Sequence, residues 1–439
     1  MRSTDPTSRR FAAVLATMAA AALVGRVVFA AAWGFHADGT LSDAMNYHLL
    51  GQHLADGLGY IRAFDWAISH VKVPTAEFPP LFPMVLAGLH LAGVQTVHGQ
   101  EIALAALGTV TVVLVGLLGR EVAGPTAGLV GAGLAAAYPM LVLPDAALQA
   151  EGLYGLLVCL VLLLSLRWRG SRDAWSWLIV GAVVGLAALT RSEALLLLPL
   201  VVLWATRSWR AVLLAAVAAV VVLSPWVIRN AYALGELVPL SDNRGTLLVG
   251  ANCRQSWQGP RQGLWTFACV DAIKSPNRDE IPLTHRYIQA GTDYARAHLS
   301  DAPRVGAVRV LRTFGLWAPR QQRTEEAAEG RNETALLVGW FAYLFVAAFA
   351  VGGTWIGYRR GMPVGPLLGA IVLVVITSAL SYGNQRFRMA AEPSLLVLAG
   401  IGLSTLIGRL IGHRVPVAGD AVPDDPTGAD VAVDDAWAR

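Results

Sequence analysis

Charge is what this sequence has least of: only 15% of its 439 residues are Asp, Glu, Lys or Arg, against 55% hydrophobic, and the mean hydropathy is +0.53. So little charge cannot solvate the surface of an ordinary soluble domain, which excludes that class. Lysine is scarcer still, Lys72 and Lys274 being the only ones among 34 basic residues. With Ala, Gly, Val and Leu dominant, this is the bias of a high-GC bacterial genome. No internal repeat is visible, which removes one cue common in transporters. No small-residue cleavage site follows the apolar stretch 11–33 behind the basic residues 1–10, so that stretch reads as a retained anchor and not as a removed signal peptide. The net charge of +4 and the pI near 9.1 are what arginines flanking membrane spans produce, and no nucleic-acid partner is expected.

Long apolar runs are present instead. A span needs about 20 apolar residues, and such runs cover 11–33, 101–119, 125–143, 149–167, 210–228, 334–357, 364–381 and 391–412. Between 175 and 206 the run is interrupted by Thr190-Arg191-Ser192-Glu193, which predicts two short spans meeting at a polar turn. The piece 81–94 is ambiguous. Arginines in short loops mark the cytoplasmic side: Arg9 with Arg10, Arg120, the 167–172 cluster, Arg207 with Arg210, and Arg359 with Arg360. All agree if 81–94 does not cross and is instead re-entrant or interfacial. The expected fold class is therefore an all-α polytopic membrane protein with about ten transmembrane helices and both termini inside. Residues 1–412 form the membrane module, with outer pieces at 34–100, 144–150, the turn at Arg191, and 229–333. The tail 413–439, rich in Asp, Pro, Gly and Ala, is expected to be disordered and cytoplasmic.

Outward-facing chemistry must be assembled from those outer pieces. Cys253 and Cys269 both lie in the long one, where an oxidising compartment permits a disulfide. Cys159 falls within a span and reads as packing. Asp43 sits in the first turn of a helix expected to run to about Asp56 and to stop at Gly57 and Gly59. The plain reading is a dipole partner, with Thr40 and Asp43 matching a capping box. Glu77 precedes the rigid Pro79-Pro80 turn, where the chain approaches the bilayer. Glu151 falls about two residues inside a span that Asp145 precedes, and an ionisable group there is a functional hypothesis by default. Arg191, Arg386 and Arg388 stand at outer ends of spans, and Arg229 opens the long outer segment. Guanidinium forks bind phosphate bidentately, so a ring of them suits a lipid-linked phosphate. Arg26, well inside the first span, is a candidate to point into the bundle. His36, His48, His53 and His70 in the first outer loop read as surface groups before they read as metal ligands.

These pieces, in this order, resemble the multispan glycosyltransferases that use lipid-phosphate sugars: glycosyltransferase family 39 and its aminoarabinose-transferase and protein-mannosyltransferase relatives. The resemblance rests on Asp43-Ala44-Met45-Asn46-Tyr47 with Leu54-Ala55-Asp56-Gly57, and on Glu77-Phe78-Pro79-Pro80-Leu81-Phe82-Pro83. It continues through Glu151-Gly152-Leu153-Tyr154, Leu189-Thr190-Arg191-Ser192-Glu193 and Pro225-Trp226-Val227-Ile228-Arg229-Asn230. It ends with Asn243-Arg244-Gly245, Gly250-Ala251-Asn252 and Arg386-Phe387-Arg388 before Glu392-Pro393. Two departures stand out: Ala44 where some relatives have a second acidic residue, and Phe78 where some have Lys.

The resemblance implies a catalytic base at Asp43 and a second catalytic carboxylate at Glu151. It implies substrate contacts at Glu77, Tyr47, Arg191, Arg229, Asn243, Arg386 and Arg388, and a divalent metal held by Glu77 and Glu151. The implied donor is a polyprenyl-phosphate sugar, mannose- or arabinose-like. The acceptor is an envelope lipid, polysaccharide or protein at the extracytoplasmic face of a bacterial plasma membrane. A phosphate leaving group needs no general acid of the kind that glycosidases supply to an alcohol, so one base and positive charge around the phosphate suffice, with inversion at the anomeric carbon. A secondary transporter or flippase of envelope precursors, and a non-catalytic scaffold, are the rival readings.

Overall fold

The computed structural model describes residues 6–34, 42–273 and 280–412. The expected tail 413–439, Thr40 and His36 lie outside these. The described elements are helical, the one extended pairing being an isolated bridge between Ile61 and Pro74.

The first helix, α1 (Pro6–Trp33), is followed by three short ones, α2 (Asp43–Ala55), α3 (Ala63–Ser69) and α4 (Leu81–Leu91). Helix α2 starts at Ser42, whose hydroxyl accepts from the Met45 amide at 3.3 Å, in place of the Thr40 cap expected. It ends where Gly57 turns left-handed at φ 71°, as anticipated. The eleven residues of α4 extend about 16 Å, far short of the roughly 30 Å of a bilayer core. That shortness fits a segment that does not cross.

The apolar helices that follow are α5 (Val97–Ala123), α6 (Pro125–Ala137), α7 (Pro139–Ala146), α8 (Glu151–Arg167) and α9 (Ala174–Ala188). Gly124 and Pro125 separate α5 from α6, and α6 and α7 meet at 47° where Pro139 removes a ladder donor. After the Arg191 turn, 192–206 forms mixed 3-10, π and α turns closing with α10 (Leu203–Thr206), and α11 (Trp209–Leu234) then leads to the outer segment.

That segment carries α12 (Arg244–Ala251), α13 (Arg254–Trp257), α14 (Phe267–Asp271), α15 (Glu280–Ala297), α16 (Ala302–Thr313) and α17 (Pro319–Ala328). It has a small core of its own around Val249, Val270 and Tyr287, and a disulfide joins Cys253 to Cys269. Closing such a loop stabilises by roughly 3 kcal/mol in the chain-entropy model. The chain ends with α18 (Glu333–Arg359), α19 (Gly365–Leu380) and α20 (Glu392–Leu410).

This is a polytopic all-α membrane protein. Five described helices are long and apolar enough to cross by length and composition, or six if the bent α6–α7 pair is one span. Each of the ten apolar segments read from the sequence coincides with a helix or with the 192–206 turns. The bundle closes tightly because small residues line its seams: a Cβ on Gly353 of α18 would run into the Leu398 carbonyl of α20. Helix α20 is consequently the most enclosed, with 72% of its apolar window buried.

Candidate active site

Three carboxylates from three distant parts of the chain meet at Arg386, at one end of the bundle. Arg386 lies in the 3-10 turn 385–390 that caps α20. Its Nε donates to Glu151 Oε1 at 2.6 Å, and its Nη1 donates to Asp43 Oδ2 at 2.8 Å and to Glu329 Oε2 at 3.0 Å. Arg191 supplies a second guanidinium: Nη1 reaches the same Glu151 Oε1 at 2.6 Å, and Nε reaches Glu193 at 2.6 Å. Glu151 can stand there because it begins α8, where the dipole and free amides of a helix N-terminus favour negative charge.

Exposure divides these carboxylates. The Asp43 side chain is 42% exposed and Glu329 36%, whereas Glu151 is wholly buried. Asp43 is open to a substrate. Glu151 is closed off behind its two arginines and holds both through one oxygen.

Electrostatics follow from this packing. Burial alone would weaken the charge on Arg386, but Glu151, Glu329 and Asp43 outweigh it and hold its pKa well above the ordinary value. Protein surrounds Glu329 although a third of its side chain reaches solvent. Burial pushes its carboxyl up to about 7, with Glu326 and Asp43 adding to the shift and Arg386 opposing it. Tyr47 is raised by burial first, then by Asp43 and Glu151, so its phenol lies within their field and stays protonated. Its ring is wedged against Phe78 and Phe82, with centroids 4.6 and 5.0 Å away.

The remaining expected residues separate into two groups. Glu77 lies beside α2, where Asn46 Nδ2 donates to its Oε2 at 3.4 Å, and it shares a cavity with Asn243. Arg229 and Arg388 are both engaged with the protein itself. Arg229 clamps the first outer loop through the carbonyls of Thr75 at 2.6 Å and Tyr60 at 2.5 Å. Arg388, 1% exposed, donates to Glu392 at 2.6 Å and lies 3.7 Å from the centroid of the Tyr343 ring.

Glu77 and Glu151 do not fit together as a metal site. They contact different partners, and two guanidinium groups oppose a cation at Glu151. Among the described residues no three His, Cys, Asp or Glu gather closely enough to hold an ion. Of the first-loop histidines, His53 is buried at 3% exposure, contrary to the surface reading, and His48 shares a hydrogen bond of 2.9 Å with Gln100. Arg26 does find a partner inside the bundle, Asp145, at 2.6 Å.

Sequence reasoning missed Glu326, Glu329 and Arg331. Arg331 Nη1 donates to Glu326 at 2.6 Å and its Nε to Gln149 at 2.8 Å, bracing the approach to Glu151. Their signal was available: charges placed just before an apolar span at its outer end, the same argument that singled out Glu151.

Comparison with known proteins finds one family match and several solved structures of similar fold. Residues 77–228 match the dolichyl-phosphate-mannose-protein mannosyltransferase family, a stretch holding Glu77, Glu151 and Arg191 but neither Asp43 nor Arg386. No curated protein sequence matches the chain significantly. Among solved structures, the archaeal oligosaccharyltransferase AglB from Archaeoglobus fulgidus, in complex with an inhibitory peptide and a dolichol-phosphate, aligns at TM-score 0.51 and 16% identity. The alignment covers 93% of this chain and 52% of that one. The same organism's oligosaccharyltransferase tethered to an acceptor peptide aligns at TM-score 0.55 and 15% identity, over 91% and 50% of the two chains. ArnT from Cupriavidus metallidurans bound to undecaprenyl phosphate aligns at 0.42 and 17% identity, over 90% and 79%. This chain thus spans about half the length of the oligosaccharyltransferases it matches. The resemblance read from the motifs therefore holds: residues 77–228 match the mannosyltransferase family, and the chain has the polytopic fold of the archaeal oligosaccharyltransferase.

Proposed function

We propose that this protein is a membrane glycosyltransferase that moves a mannose- or arabinose-like sugar from a polyprenyl-phosphate donor to an acceptor at the extracytoplasmic face of a bacterial plasma membrane. The observation that carries the reading is the Arg386 guanidinium, which links the exposed carboxylate of Asp43 to the buried one of Glu151. Arginine bias in the short loops supports ten spans with both termini cytoplasmic. The Cys253–Cys269 disulfide supports an oxidising compartment on the opposite side.

Asp43 takes the proton of the acceptor hydroxyl as that oxygen attacks the anomeric carbon. The bond from that carbon to the phosphate oxygen breaks, and its electron pair leaves with the phosphate. In-line attack inverts the centre. Arg386 and Arg191, fixed by Glu151, offer charge that cannot be lost to deprotonation as the phosphate departs. Arg386 contributes a second effect. Drawn towards the phosphate, it loosens from Asp43 and raises the basicity of that carboxylate when a proton must be taken. Tyr47 packs the floor beneath Asp43, and Glu77 with Asn243 faces the acceptor side. A bound dolichol-phosphate and a tethered acceptor peptide in the archaeal relatives support a lipid-phosphate donor and an acceptor cleft in this fold. The Archaeoglobus fulgidus oligosaccharyltransferase has also been solved in complex with zinc and sulfate.

The test is incubation of the purified protein with a panel of radiolabelled polyprenyl-phosphate sugars and envelope extract as acceptor. Transfer of label from one donor names the sugar. No transfer from any donor sinks the assignment.

A further inference from the structure

A separate cavity of about 300 Å³ opens beside α2, between the first outer loop and helices α12 and α15. Its wall includes Asn46, Phe64, Glu77, Asp242, Asn243 and Tyr287. Asn46 sits one helical turn beyond Asp43 and so projects to the same side of α2 as the proposed base. A molecule seated there is held within a turn of the carboxylate that would take its proton.

The lining chemistry is selective. Carboxylates and carboxamides accept and donate in one plane, which suits the neighbouring hydroxyls of a sugar, and the two aromatic rings offer apolar faces for its C–H side. The polar groups are positioned in advance. Ser241 Oγ donates to the Glu77 carbonyl at 2.5 Å, Thr75 Oγ1 accepts from the Glu77 amide at 3.0 Å, and Thr284 donates to Asp242 at 2.6 Å. Charge then decides which part of the reaction belongs there. Asp65 and Asp242 have guanidinium groups beside them, Arg62 at 3.4 Å and Arg244 at 4.0 Å, and with Glu77 the three carboxylates leave the lining no surplus of positive charge to hold a phosphate, whereas Arg386 and Arg191 can turn guanidinium N–H groups to one. The volume falls at the small end of ligand sites.

We infer that this cavity is the acceptor subsite and that the acceptor is a neutral saccharide, which presents a hydroxyl to Asp43 while the donor phosphate lies at the arginines. This rests on the glycosyltransferase reading for its role in catalysis, though not for binding.

The full chain in lipid nanodiscs is titrated calorimetrically, without donor, with octyl mannoside, octyl arabinofuranoside and, as a control, a neutral octyl-capped peptide. One of the glycosides is expected to bind and the peptide not to. Phe64→Ala and Glu77→Gln are each expected to weaken that binding at least tenfold, and Asn243→Ala, at an exposed position, serves if either variant fails to fold. In transfer assays the same variants should raise the acceptor KM at least tenfold and leave the donor KM within twofold. Binding of the peptide alone, binding of neither glycoside, or a rise in donor KM in place of acceptor KM overturns the inference. Glycoside binding that the variants abolish, with no transfer from any donor, upholds the cavity and defeats the catalytic reading instead.

Discussion

Asp43 and Glu151 accept hydrogen bonds from different nitrogens of one guanidinium, Arg386 Nη1 at 2.8 Å and Nε at 2.6 Å. One carboxylate is open to solvent and the other is sealed. The arginine between them is therefore anchored on its buried side and free to exchange partners on its exposed side.

Asp43→Asn keeps the shape and the hydrogen bond to Arg386 but loses the basic oxygen. Transfer kcat should fall by roughly 10²–10⁴, the usual contribution of a general base, with little change in donor KM and an unchanged elution profile in detergent. Wild-type turnover by this variant would place the base elsewhere.

Arg386→Ala leaves buried Glu151 with Arg191 alone, and removing one partner of a buried pair costs about 3–5 kcal/mol. Arg386→Lys should recover less than half of that, because an ammonium cannot serve two separated carboxylates through two fixed nitrogens. Thermal unfolding of the wild type and the two variants compares these outcomes. A melting temperature for Arg386→Lys equal to that of the wild type would show that the fork geometry is unimportant.

Burial pushes Glu329 from an ordinary 4.5 up to about 7, so the folded protein holds a proton there that the unfolded chain releases. The sign follows: its contribution to stability is complete below about pH 4.5 and is lost as pH rises through 7. Above that point a new negative charge sits beside Arg386 and repels the donor phosphate. The donor KM should climb above pH 7 in the wild type and stay flat in Glu329→Gln. A profile identical in the two proteins would remove Glu329 from donor binding.

Gly108 of α5 lies where Arg26 and Asp145 meet at 2.6 Å, and a Cβ there would strike both side chains. Gly108→Ala should therefore break the pair and destabilise nearly as much as Arg26→Ala, by about 3–5 kcal/mol. Arg26 is wholly enclosed, so its loss strands the Asp145 carboxylate inside the bundle. A melting temperature for Gly108→Ala within a degree of wild type would contradict this.

Much of the fold was legible because the signals are local. Lipid offers the backbone no hydrogen-bond partners, so an apolar run of sufficient length must be helical wherever it lies in the sequence. The stop of α2 at Gly57 and the shortness of the Leu81–Leu91 helix follow in the same way from conformational freedom and length. Glu151 and Arg191 were singled out by position alone, as ionisable groups at the ends of apolar spans, whereas Asp43 read as a helix-dipole partner until the resemblance implied a base there.

Partner choice was not legible. Arg386 and Arg388 stand two residues apart in one 3-10 turn with the same chemistry, yet Arg386 gathers Asp43, Glu151 and Glu329 while Arg388 turns inward to Glu392 beneath Tyr343. In the same way Arg229 is drawn to the backbone carbonyls of Thr75 and Tyr60. The sequence alone determined which residues carry charge to the ends of the apolar segments, because hydropathy and helix length are properties of each segment. Only the packing of segments decided which charges meet, because every carboxylate that reaches Arg386 comes from a remote part of the chain.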